Sequence, residues 1–176
     1  EKKMNSSLLR ELREIVGPDR CLTAPEDLMV YSHDAFAEKK PDVVVLPTAT
    51  EEVSRILKFA NRERIPVTPR GSATGLSGMC TPERGGIVMA MSKMNKILEI
   101  STEDRLAIVE PGVITQDLQE AAERAGVFYP PDPASQSICQ IGGNVGTCAG
   151  GPRCVKYGVT RDYLLGLEAV LPSGEV

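Results

Sequence analysis

The chain has 176 residues, 41% of them hydrophobic and 25% charged, enough to bury one core as a domain with two lobes. A net charge of −4, 4% aromatic residues and no Trp exclude the basic, stacking surface that a nucleic-acid partner needs. No run approaches the roughly 20 apolar residues of a bilayer span, the start "EKKMNSSLLRELREIV" lacks a signal-peptide pattern, and Cys21, Cys80, Cys139, Cys148 and Cys154 show no Cys-x-x-Cys spacing, so the expectation is a cytoplasmic protein with free thiols and no metal site.

In chain order, Leu8, Leu9, Leu12, Ile15 and Val16 fall on one helical face, with Asn5, Ser6 and Ser7 before them as caps and "GP" at 17 and 18 as the stop. Residues 1–40 read as an N-terminal helical segment. "VVVL" at 43–46 has the form of a buried strand. "TATEEVSRILKFANRE" follows as a helix with Val53, Ile56, Leu57 and Ala60 on one stripe and capping-box spacing from Thr48 to Glu51. A second strand, "IPVTP" at 65–69, completes a β-α-β unit with expected parallel pairing. Beyond residue 85 the texture changes. "GGIVMAM", "KILEIS" and "RLAIVEPG" predict antiparallel hairpins, and "ITQDLQEAAERAG" a helix capped by Thr115 and ended by Gly126. "LLGLEAVLPSGEV" predicts a strand and a turn close to the last residue, which suggests a piece of a longer protein. The resulting fold class is α+β, with a small β-α-β lobe at about 41–100 and a larger, mainly antiparallel lobe at about 101–176 that is incomplete at its C-terminus.

Two glycine clusters carry the chemistry. "PRGSATGLSG" at 69–78 follows the second strand, and glycine there lets backbone N–H groups face a ligand with no Cβ in the way. Its spacing, Gly71, Gly75 and Gly78, fits neither the dinucleotide fingerprint nor the P-loop. "IGGNVGTCAGG" at 141–151 is too glycine-rich for a helix on propensity, which asks for another reward for close backbone approach. A pyrophosphate held between two backbone loops, with Ser72, Thr74, Ser77, Asn144 and Thr147 donating, satisfies both clusters without a cationic side chain.

"PRGSATGLSG", "YPPDPASQSICQIGGNVGTCAGGPRCVKYG" and "LLGLEAVLPSGEV", in this order, resemble the FAD-binding domain of the vanillyl-alcohol oxidase/p-cresol methylhydroxylase (PCMH-type) flavoproteins, and within it the glycolate oxidase large subunit and D-lactate dehydrogenase branch. The resemblance covers residues 41–176. It implies FAD with its pyrophosphate against Pro69, Arg70, Gly71, Ser72, Ala73, Thr74, Gly75, Leu76, Ser77 and Gly78. Pro131, Asp132, Ile141, Gly142, Gly143, Asn144, Gly146, Thr147 and Gly151 would run along the ribityl chain and flavin, with Tyr157 and Gly158 near the cofactor. Arg70 is open between fixing the loop and touching phosphate, and Asp132 between bracing its loop and meeting the flavin edge.

The implied activity is oxidation of a 2-hydroxy acid such as glycolate or D-lactate by FAD, with a separate iron–sulfur subunit as electron acceptor. Alternatives within the fold are an ether-lipid synthase-like flavoprotein or a cell-wall-precursor reductase, and outside it a non-catalytic module for a phosphate ligand or a partner. The family's catalytic groups would lie beyond Val176, so no catalytic residue is named. His33, the single histidine, lies outside both clusters and reads as a surface residue. The stretch after the first loop, "GLSGMCTPERGG", has no histidine and only Cys80 as a nucleophile, so FAD is expected to be noncovalent, and weakly held by this chain alone.

Overall fold

A computed structural model describes residues 4–176, so residues 1–3 of the N-terminal segment lie outside it. The chain forms two compact units, one running to Lys93 and taking up Glu168–Val176, the other Met94–Leu167. The architecture is mixed α+β, with both parallel and antiparallel pairing.

In the first unit α1 (Ser6–Val16) buries Leu8, Leu12, Ile15 and Val16, and Asn5 caps it by accepting from the N–H groups of Ser7 and Leu8 at 3.1 Å. A short strand β1 (Cys21–Leu22) and α2 (Pro25–Val30), neither foreseen in the sequence, lead to β2 (Val43–Val45), whose three valines are fully buried. α3 (Thr50–Glu63) buries Val53, Ile56, Phe59 and Ala60. Its capping carboxylate is Glu52 rather than Glu51: Glu52 reaches back to accept from the Thr48 N–H at 2.8 Å, because the helix begins at Thr50. Arg20 grips the same carboxylate through both terminal nitrogens, at 2.5 and 2.7 Å, and also donates to the Leu46 carbonyl and the Thr48 hydroxyl. This joins the end of β2 to the start of α3.

The sheet order is β1-β2-β4-β3, with β3 at Val67–Arg70 and β4 at Ile87–Ala90. The β-α-β unit is parallel as expected, but β4 lies between its two strands and is parallel to both. "GGIVMAM" is therefore not part of a hairpin. Its four strand residues are all buried, which suits a central parallel strand covered on both faces better than an alternating antiparallel one. Gly86 lets the chain enter β4: its φ is +78°, its N–H donates to Asp42 Oδ2 at 2.8 Å, and a Cβ there would strike the Pro66 carbonyl.

In the second unit β5 (Ile97–Ser101) and β6 (Leu106–Val109) form the expected antiparallel hairpin. α4 (Thr115–Arg124) starts one residue earlier than its cap was expected. Thr115 sits inside the first turn, fully buried, and its hydroxyl meets the Cys139 carbonyl at 3.2 Å instead of capping. Val113, Leu118 and Ile141 make the core, with Ile97, Val109, Tyr129 and Val145 against it. The second glycine cluster is helical after all, as α5 (Ile141–Thr147), and a short α6 (Cys154–Tyr157) follows. Low propensity is overridden at α5 because Ile141 anchors it in the core and Asn144 is tied inside. The stretch after Leu164 forms no strand, since a strand needs a ladder partner and none of the described residues supplies one. The expected turn is present: Gly174 N–H donates to the Leu171 carbonyl at 2.7 Å, and the Ser54 hydroxyl on α3 donates to the Gly174 carbonyl.

Candidate cofactor site

The first glycine loop leaves the end of β3, where Pro69 is exposed and Arg70 is buried at 7%. One terminal guanidinium nitrogen of Arg70 donates to the Cys80 carbonyl at 3.2 Å and the other to the His33 carbonyl at 2.7 Å, and the group lies 5.8 Å from the Tyr31 ring centroid. Thr81 closes the far end, its hydroxyl donating to the Gly78 carbonyl at 2.8 Å. Between these fixed points the loop is open: among the described residues, the backbone N–H groups from Ala73 to Gly78 donate no hydrogen bond. Ala73 is held at φ +55°, in the left-handed region that makes neighbouring amides converge into an anion-binding concavity. Ser72, Leu76 and Ser77 are exposed, and Gly71, Thr74 and Gly75 half-buried. The Cys80 thiol, next to this loop, is pushed up by burial and so stays protonated at neutral pH.

The second segment separates into braces and a bare face. Pro131 is buried and its carbonyl accepts from Gln119 Nε2 at 2.7 Å. Asp132 accepts from the Arg153 backbone N–H at 3.0 Å and pairs with its guanidinium at 3.4 Å, so its carboxylate braces the loop. Ile141 is core. Asn144 is 4% exposed and donates to the Thr115 hydroxyl at 2.6 Å. A Cβ on Gly142 would lie 2.7 Å from Pro111 Cβ, and one on Gly151 would run into the Asp132 carbonyl. Gly158 takes φ +88° and ψ −168°, beside Asp162. The Tyr157 ring meets Phe128 edge-on at 5.8 Å, and its carbonyl accepts from the Tyr163 hydroxyl at 2.6 Å. What is left is Gly143, Gly146 and Thr147, exposed on one side of α5 at helical spacing, with the Thr147 hydroxyl returned to the Gly143 carbonyl at 2.9 Å.

Within the two glycine clusters three glycines thus have no reason inside the fold; Gly166, outside both clusters, is equally open. At Gly75, Gly143 and Gly146 an added Cβ would meet no protein atom within 4 Å, and none of the three has a left-handed φ. Bare backbone at such positions fits a ligand that approaches the main chain closely, as the phosphates and ribityl chain of FAD would. One buried acceptor, Gln140 Oε1, has no partner, but protein atoms seal it, so no ligand at the surface can reach it. Sequence reasoning missed Gln140, and also Tyr31 and His33, whose part in fixing the first loop depends on a contact between distant segments that leaves no local pattern.

The Tyr129 phenol is pushed up to about 12 by burial, and His33 is exposed with its carbonyl engaged by Arg70. Among the described residues no group of three His, Cys, Asp or Glu side chains could hold a metal ion.

Residues 41–176 match the model of the FAD binding domain family. The chain is 46% identical to "Glycolate oxidase subunit GlcD" of Bacillus subtilis over 94% of its length and 36% of that protein's. It is 41% identical to a D-lactate dehydrogenase of Anaerostipes hadrus over 99% of its length and 37% of the relative's. It therefore spans little more than a third of these curated relatives. Among solved structures an alkyldihydroxyacetonephosphate synthase superposes with a TM-score of 0.86 at 25% identity, covering 98% of this chain and 34% of that one. With its mixed sheet, its free loop amides and a family match over most of its length, this chain belongs to the FAD binding domain family.

Proposed function

We propose that this domain is the FAD-holding part of a flavin-dependent dehydrogenase or oxidase that converts a 2-hydroxy acid, such as glycolate or D-lactate, to the 2-oxo acid. The observation that carries the reading is the run of free amides from Ala73 to Gly78, in a chain whose curated relatives are named for glycolate and D-lactate oxidation. Bound FAD would accept the two electrons and the hydrogen leaving the substrate carbon. The protein residues bind and orient. The Ala73–Gly78 amides carry the pyrophosphate, and Gly143, Gly146 and Thr147 offer a smooth face to the rest of the cofactor. Arg70, Asp132 and Asn144 hold these two surfaces in shape.

Attachment is noncovalent in this reading, because burial pushes the Cys80 thiol up and keeps it protonated, while its carbonyl is held by Arg70. Electrons would pass to a partner subunit carrying an iron–sulfur centre, and the protein would work in the cytoplasm. No helix among the described residues is long and apolar enough to cross a membrane.

Purified full-length protein with bound FAD, mixed anaerobically with glycolate, D-lactate, L-lactate or D-2-hydroxyglutarate, should lose its flavin absorbance with at least one of them. A flavin-bound protein bleached by none would refute the substrate class and favour redox-neutral chemistry, the second reading raised by the synthase superposition. A protein that takes up no FAD would refute the cofactor assignment.

A further inference from the structure

The match to the family model begins at residue 41, yet the first glycine loop is fastened to residues that precede it. Arg70 is the fastener. It is 7% exposed, at the last position of β3, and its two terminal nitrogens go to different segments: the Cys80 carbonyl at the far end of the loop, and the His33 carbonyl in the N-terminal segment. The Tyr31 ring lies under the guanidinium at 5.8 Å. The segment it grips is hydrogen-bonded within itself. Asp34 accepts from the Phe36 and Ala37 N–H groups at 2.9 and 3.0 Å, the Asp34 N–H donates to the Ala37 carbonyl, and His33 bridges Glu38. Ala37 also borders the loop, its Cβ lying 3.7 Å from where a Cβ on Gly78 would stand.

We propose that Arg70 is a positioning residue that clamps the glycine loop to residues 31–38, and that this N-terminal turn is therefore part of the cofactor-site scaffold although it precedes residue 41, where the family match begins. The role follows from geometry. A loop whose Ala73–Gly78 amides make no internal hydrogen bond cannot fix its own shape, and shape has to be imposed from its ends. Arg70 and Thr81 do this, and a two-armed planar guanidinium can bridge two carbonyls where a lysine ammonium cannot hold the same fork. The inference rests on the FAD reading for what the loop binds, but the contacts of the clamp are all made within the protein.

Both parts can be tested on the full-length protein with Arg70→Met, Arg70→Lys, Tyr31→Leu and the Arg70→Met/Tyr31→Leu double variant. FAD affinity is read by flavin fluorescence, and hydrogen–deuterium exchange is followed in peptides covering 31–38, 71–80 and 87–90. The clamp predicts that Arg70→Met weakens FAD by about tenfold or more, that Arg70→Lys does not rescue it, and that Tyr31→Leu weakens it in the same direction. The double variant should lose much less than the product of the two single losses. Exchange should rise together in 31–38 and 71–80 of the flavin-free protein, while 87–90 stays protected. Loss of FAD with unchanged exchange would make Arg70 a direct phosphate ligand and overturn the proposal, as would multiplicative losses or an inert Tyr31→Leu. If the unsubstituted protein takes up no FAD, the cofactor reading fails separately, and exchange alone decides the clamp.

Discussion

Gly143 and Gly146 should respond to alanine in opposite directions for stability and for cofactor binding. Both lie in α5, with no protein atom within 4 Å of an added Cβ and no left-handed φ, so each methyl enters open space. Alanine in a helix is favoured over glycine by roughly 0.5–1 kcal/mol. Because α5 has seven residues and both positions lie near an end, the low figure applies, giving about 0.5 kcal/mol each and ~1 kcal/mol for the pair. A ligand lying against that face has to accommodate two methyls, an overpacking that costs about 1–3 kcal/mol, or roughly five- to 150-fold in affinity. The assay is urea denaturation of the flavin-free protein beside FAD titration by fluorescence, with Gly142→Ala as control. At Gly142 a Cβ would crowd Pro111 at 2.7 Å, so stability and affinity should fall together. A stabilised Gly143→Ala/Gly146→Ala protein that binds FAD as tightly as before would refute the assignment of this face, and a destabilised one would refute the geometry of α5.

Gln140→Met, which removes the sealed and unpartnered Oε1 at similar volume, should raise stability by about 1 kcal/mol in thermal denaturation, and a loss would show that the oxygen has a partner inside the fold. Gly158→Ala should lower stability by about 2–3 kcal/mol with or without flavin, since φ +88° with ψ −168° is a region nearly closed to other residues and the methyl would press on Asp162; urea melts of both forms check this. Glu52→Gln should cost about 1–2 kcal/mol at neutral pH. Arg20 holds the Glu52 carboxyl below its ordinary range, so the contribution is fully present above the unfolded value of about 4.3 and fades as pH falls through the lower folded value. A difference between wild type and variant that stayed constant down to the acid limit would argue against that pairing.

The parts of the fold that were legible are those whose signal is local. Val53, Ile56 and Ala60 repeat at helical spacing, "VVVL" is apolar on both faces, and Asn5 precedes an amphipathic run, so α1, β2 and α3 could be read directly. What could not be read was pairing over distance. Whether Ile87–Ala90 joins a hairpin or slides between β2 and β3 depends on partners more than 15 residues away in sequence, and its alternation-free burial is the one feature that favours the central position. The place of Thr115 inside the helix and the inward tie of the Asn144 side chain were hidden for the same reason. Each has a residue type that suits a cap or a phosphate donor, and each instead satisfies the other in the interior, a pairing across 29 positions that no window of sequence contains.

The glycine clusters show why a backbone-built site is easy to notice and hard to resolve. A ligand gripped by main-chain N–H groups leaves no side-chain signature, only a tolerance for missing side chains, and the fold demands the same tolerance for its own reasons. Gly142, Gly151 and Gly158 are required by Pro111, by Asp132 and by a φ of +88°, while Gly75, Gly143 and Gly146 are required by nothing within the protein. In sequence the six are indistinguishable. The excess of glycine over what folding requires is the quantity that points to a ligand, and it can be counted once every internal neighbour is known. Within the two clusters three glycines and a stretch of free amides meet that description, as Gly166 does outside them, while the charged and amide side chains Arg70, Asp132 and Asn144 are engaged with other groups of the protein.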